Sequence, residues 1–131
     1  MAQKEQIKKT KRNTVKVTAN GKAFVTCTYN NTIITVTNSV GEAVCWSSPG
    51  MVGFKGAKQS TPYAATLASE QVAKKAVDLG VQSVDIINKG PGNSKMAAIK
   101  GLKSGGLKVT TIRDVTPIPH NGCRPKKRRR M

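Results

Sequence analysis

From Lys22 the chain alternates, with Ala23, Val25, Cys27 and Tyr29 on one side and Phe24, Thr26 and Thr28 on the other. A period of two in β-branched and aromatic residues predicts a strand. Regular structure is expected to begin near Thr14 and to be clear from Lys22. Asn30-Asn31 tolerates left-handed backbone and predicts a tight hairpin turn. Residues 32–37, Thr-Ile-Ile-Thr-Val-Thr, predict the returning strand, residues 38–41 a second turn, and residues 42–47 a third strand. Together these three antiparallel strands form a meander.

Residues 48–59 break the alternation. Gly50, Gly53 and Gly56 recur at every third position, Lys55 and Lys58 are interleaved, and Phe54 is expected to be exposed among them. Ser60-Thr61-Pro62 then opens a helix, with a hydroxyl to cap it and proline in its first turn. Ala64, Leu67, Ala68, Val72, Ala76 and Leu79 share one face of that helix, and Gly80 ends it. Residues 81–88 predict a strand whose Ile86-Ile87 pair suits an interior position. A second glycine turn, residues 89–95, leads into a shorter helix near 94–104 carrying Ala98, Ile99 and Leu102. Gly105-Gly106 stops it, and residues 107–115 form the last strand. The order β-β-β-α-β-α-β predicts a single α/β domain. It should hold a mixed five-stranded sheet with two helices, because strand–helix–strand units close as right-handed parallel crossovers.

Charge changes the picture at both ends. The 131 residues hold 23 Lys and Arg against six Asp and Glu, a net charge of +17. Five cations and one acid fall in residues 1–12, and six cations and no acid in residues 119–131. The chain thus divides into a basic N-terminal arm (1–13), a folded α/β domain (14–115) and a proline-rich basic C-terminal tail (116–131). Proline removes backbone donors and fixes φ, so the tail can neither continue a helix nor enter a sheet. Like charges keep such a segment extended until an anion neutralises them. A folded body flanked by basic arms is the footprint of a nucleic-acid binder.

Other chemistry finds little support. Cys27, Cys45 and Cys123 are an odd number without a close pair, which points to a reducing compartment rather than a disulfide framework. Cys27 and Cys45 lie in apolar runs and read as small core residues. His120 and Cys123 supply at most two metal ligands, so neither a metal site nor a cofactor is expected. No apolar run is long enough to span a membrane, and no signal peptide is expected. The acids Glu5, Glu42, Glu70, Asp78, Asp85 and Asp114 are scattered, whereas two-metal phosphoryl chemistry needs clustered carboxylates. No catalytic residue is assigned.

The two glycine–lysine loops carry the positive signal inside the domain. Each leads from a strand toward a helix N-terminus, where free N–H groups and the macrodipole favour an anion. Lysine adds a point charge, and glycine lets backbone come close to phosphate. Neither loop has the spacing of a Walker motif. Aromatic residues are few, and a base-stacking platform would need two or three on one exposed sheet face. Recognition is therefore expected to rest on backbone shape and charge.

Several stretches resemble the universal small-subunit ribosomal protein eleven family, of bacterial or organellar type. They are Tyr29-Asn30-Asn31-Thr32-Ile33, Gly53-Phe54-Lys55-Gly56, Ser60-Thr61-Pro62-Tyr63-Ala64-Ala65, Lys89-Gly90-Pro91-Gly92, and the long run from Asp114 through Pro117-Ile118-Pro119-His120-Asn121-Gly122-Cys123-Arg124-Pro125. The resemblance implies a ribonuclease-H-like topology without nuclease activity. It also implies a place on the platform of the small subunit, bridging separate rRNA helices and lining the cleft where the messenger pairs with the rRNA 3′ end. Implied partners are small-subunit rRNA, small-subunit ribosomal proteins seven and eighteen, and initiation factor three nearby, in a cytoplasmic or organellar ribosome.

Residue by residue, the implied rRNA contacts are Asn30 and Asn31 in the hairpin, and Phe54, Lys55, Gly56 and Lys58 in the first loop. They continue with Lys89, Gly90, Gly92 and Lys95 in the second loop, and with His120, Asn121, Arg124, Lys126, Lys127, Arg128, Arg129 and Arg130 in the tail. Where the family commonly follows Gly-Pro-Gly with Pro/Asn-Gly-Arg-Glu, this chain has Asn93-Ser94-Lys95-Met96. Lys95 keeps the charge there but lacks the guanidinium fork. Two other classes stay open on sequence alone: a nucleoid-type DNA-binding protein, and a phosphoryl-transfer nuclease.

Overall fold

Alternation in the first half and helical periodicity in the second produce the expected element order in the computed structural model, which describes residues 16–130. The basic arm expected over residues 1–13 lies outside the described residues. The strands are β1 (Asn20–Cys27), β2 (Thr32–Thr37), β3 (Ala43–Ser47), β4 (Ser83–Lys89) and β5 (Lys108–Asp114). The helices are α1 (Pro62–Leu79) and α2 (Lys95–Ser104). One mixed sheet runs in the order β3-β2-β1-β4-β5, the ribonuclease-H-like arrangement. β1–β2 and β2–β3 are antiparallel, whereas β1–β4 and β4–β5 are parallel. β4 is thus interior, as its Ile86-Ile87 pair suggests.

Both helices follow strands of the same direction, and each crossover moves the chain the same way across the sheet. Right-handed connections therefore place both helices on one face. The core lies between them and the sheet: Ala23, Val25, Ile34, Val36, Val84 and Ile86 pack with Ala68, Val72, Ala73, Ala76, Ala98, Ile99 and Leu102. The alanines of α1 let α2 come very close. At the crossing, a Cβ added to Gly101 would overlap the Ser69 hydroxyl and lie 2.7 Å from the Thr66 carbonyl.

Local capping fixes the element boundaries. Thr61 accepts a hydrogen bond from the Ala64 N–H at 3.3 Å, and Pro62 sits in the first turn of α1. The β2–β3 turn is held by buried Asn38, whose Oδ1 accepts from the N–H groups of Val40, Gly41 and Glu42 at 3.1, 2.9 and 2.9 Å.

Four sequence expectations change. Tyr29 falls outside the first strand, because β1 ends at Cys27, and the turn leaves the ring 75% exposed. Leu79, the last residue of α1, is exposed rather than part of the helix's buried face. Phe54 is half-buried, since it packs edge-on against Tyr63 with ring centroids 6.0 Å apart. Cys45 lies toward the open edge of the sheet and is likewise half-buried. Its thiol donates to the Val72 carbonyl, and burial pushes its pKa up while Lys75 opposes the shift.

Candidate nucleic-acid interface

The candidate residues of the folded body come from three separate stretches of sequence, and the parallel strands bring them to one end of the sheet. β1, β4 and β5 all finish there, and the connections to both helices start there. The β1–β2 hairpin closes with Thr28 N–H donating to Asn31 O at 2.8 Å, which leaves Asn30 exposed and Asn31 half-buried. The first loop passes through two short 3-10 turns, Pro49–Val52 and Gly56–Ser60, before α1. It presents Lys55, Gly56 and Lys58 to solvent.

Hydrogen bonds stitch the segments together. Gly92 N–H donates to Cys27 O at 3.2 Å, joining the second loop to the hairpin. The Ser94 hydroxyl donates to Ser60 O at 3.3 Å, joining the second loop to the first. Gly90 N–H donates to Thr116 Oγ1 at 3.1 Å, and Val115 N–H to Asn88 O at 2.9 Å, fixing the root of the tail. The hairpin, both glycine–lysine loops and the start of the tail therefore form one continuous surface.

The glycines there have two different jobs. Gly53 and Gly56 take positive φ values of 102° and 60°, and a Cβ at either would meet nothing within 4 Å. They shape the loop while leaving its outer side open. Gly90 and Gly92 face inward. A Cβ on Gly90 would overlap Cys27 O, and one on Gly92 would overlap Cys27 Sγ and lie 2.5 Å from Thr28 O. Close approach is needed there too, but the backbone being approached is the hairpin's own.

The electrostatics of this end are one-sided. Neither helix has an acid in its first turn, so no carboxylate competes for the N-terminal N–H groups. Lys55, Lys58 and Lys89 are exposed, and among the described residues no salt bridge engages them. Lys95 is different, because it pairs with Asp114 at 3.1 Å and ties the start of α2 to the end of β5. The tail beyond Thr116 is exposed throughout residues 117–130 and presents His120, Asn121, Arg124 and Lys126 to Arg130 without a helix or strand. Asn121 adopts a left-handed conformation with φ 65°.

Asp114 is the acid built into this surface. Hydrogen bonds from the Thr116 hydroxyl and then from its backbone N–H, followed by Lys95, hold its carboxyl at about 2. A depressed carboxylate pKa stabilises the folded state above the ordinary carboxylate range, and that contribution is lost as pH falls toward the folded value. Carboxyl-carbon NMR should give Asp114 a midpoint near 2, and Thr116→Val should raise it. A midpoint at the ordinary 3.8 would mean that this junction is not formed in solution.

Asp85 lies beside Asn20, Gly21, Ser83 and Thr110 in a small pocket of about 180 Å³. Among the described residues no three His, Cys, Asp or Glu side chains converge to hold a metal ion, and no helix is long and apolar enough to cross a membrane.

Sequence reasoning missed the outer face of the sheet. Pairing puts Trp46, Thr35, Phe24, Ile87 and Arg113 in one row across five strands. The individual strands signal this by alternation, but only the register shows that two aromatics share a face. A family model for ribosomal protein S11 matches residues 21–130.

Proposed function

This chain belongs to the ribosomal protein S11 family, non-enzymatic structural constituents of the small ribosomal subunit that bind rRNA, and from that premise we propose how it sits there. The carboxyl end of the sheet lies against the rRNA backbone on the platform. Lys55, Lys58 and Lys89 neutralise phosphates, and Asn30 and Asn31 meet sugar or base edges. The tail, from His120 to Arg130, runs on from its root into a second rRNA helix, so that one small protein bridges helices distant in the rRNA sequence. The platform position puts the chain beside ribosomal proteins seven and eighteen, at the cleft where messenger pairs with the rRNA 3′ end, with initiation factor three binding nearby. The compartment is that of the ribosome itself, the bacterial cytoplasm or an organelle.

The observation that carries this reading is the stitching of hairpin, two loops and tail root into one cationic surface. Its one acid, Asp114, is already paired.

The full-length protein should co-sediment with small subunits in high-salt gradients and prefer small-subunit rRNA to duplex DNA. Lys55→Ala should remove about one phosphate contact, making the slope of log K against log salt shallower by roughly 0.7–0.9 with no change in melting temperature. Equal affinity for duplex DNA and absence from the subunit peak would replace this reading with a free DNA-binding protein.

A further inference from the structure

The face of the sheet turned away from both helices has its own composition. Core-facing residues of β1, β2 and β4 are buried, whereas their neighbours on the other face, apart from Thr37 at the end of β2, remain half-buried or exposed. Trp46 is 52% and Ile33 42% exposed, while Phe24 and Ile87 are half-buried between them and β5. The hydroxyls of Thr26 and Thr35 interrupt this apolar strip.

Cations flank it. Lys22 and Asp85 are paired neighbours across β1 and β4, Lys89 is paired with Thr26, and Arg113 with Ile87. The one acid in these rows, Asp85, accepts a hydrogen bond from Thr110. Hydrogen bonds from Thr110 and Thr111 lower the Asp85 carboxyl pKa, with Lys22 and Arg113 adding a smaller pull.

We propose that this face binds a single-stranded stretch of RNA, with one base stacked on Trp46, a second base or ribose against Phe24, and phosphates met by Lys22, Lys89 and Arg113. Three observations select RNA over a protein. The apolar strip is broken by the hydroxyls of Thr26 and Thr35, whereas the centre of a stable protein interface is a continuous apolar core. Its rim is cationic. It is also continuous, through Lys89, with the surface assigned above to the rRNA backbone. The two rings sit two strands apart, about 10 Å from strand spacing, which suits bases splayed from a flexible strand rather than a stacked duplex. Aromatic stacking is sequence-tolerant because every base has a π-face.

The proposal rests on the rRNA-binding reading but fails separately from it. Trp46 is the chain's one tryptophan, so its fluorescence reports this face alone. Oligoadenylate and oligouridylate should quench it in the full-length protein, while a perfectly paired RNA hairpin should bind without quenching. In anisotropy titrations with labelled oligoadenylate, Trp46→Leu should weaken binding about tenfold, Trp46→Phe should restore most of it, and neither should alter binding of the paired hairpin. Single-stranded RNA that binds without quenching, or with equal affinity for Trp46→Leu, would overturn the stacking face and leave rRNA binding intact. If Trp46→Leu keeps its RNA affinity but loses association with another small-subunit protein, the face is a protein interface. Failure of both RNAs to bind would instead remove the reading on which the proposal rests.

Discussion

Gly90→Ala is expected to destabilise the protein by roughly 4 kcal/mol, from two costs that act together. The position has φ +114°, where a side chain costs about 1–3 kcal/mol. The added Cβ would also overlap Cys27 O and lie 2.9 Å from its carbonyl carbon, and overpacking against backbone adds about 1–3 kcal/mol. Neither atom can turn away, because Cys27 closes β1 and accepts the Gly92 N–H. Set against a typical total stability of about 5–15 kcal/mol, such a loss should lower the melting temperature by more than about 10 °C. Gly56→Ala provides the contrast. It has φ +60° but open space around the missing Cβ, so its cost should stay near 1 kcal/mol. Thermal melts of the two variants decide the matter. If they melt alike, the second loop is not packed on the hairpin, and the continuous surface built on that contact does not exist.

Removal of residues 119–131 should have the opposite signature, a large change in binding with none in stability. The segment carries six cations and no acid, and its described residues are exposed. The root of the tail, held through Thr116 and Val115, survives the deletion. Six phosphate contacts correspond to a slope of log K against log salt shallower by roughly 4–5, because each neutralised phosphate releases about 0.7–0.9 counterion. The free tail should be disordered and become ordered on rRNA, with counterion release offsetting the entropy of ordering. Filter binding at several salt concentrations, alongside a melting curve, separates the two quantities. An unchanged slope would take the tail off the rRNA, and a lowered melting temperature would make it part of the folded body.

Together these variants mark how far the sequence can be read. Alternation from Ala23 to Cys27 and periodicity from Ala64 to Ala76 are local consequences of backbone geometry, so element type and order were legible. Thr61-Pro62 and Gly80 were equally legible, because helix caps act on backbone groups within a few residues. So was the charge at the two ends, since no fold is needed to count cations.

What pairs with what was not legible, because pairing depends on residues far apart in the chain. Gly90 and Gly92 read as loop glycines from their neighbours, yet their contacts are with Cys27 and Thr28, some sixty residues earlier in the chain. Lys95 reads as a free cation and is held by Asp114. Phe24 and Trp46 read as unrelated aromatics, because nothing near either residue states that Thr35 lies between them. The sequence by itself determined the elements, the caps and the surplus of positive charge, all of which act over a few residues. Only the tertiary structure decided which glycines pack, which lysine is spent on an ion pair, and which aromatics share a face. Those outcomes are set by strand register and by the right-handed crossovers that bring distant segments together.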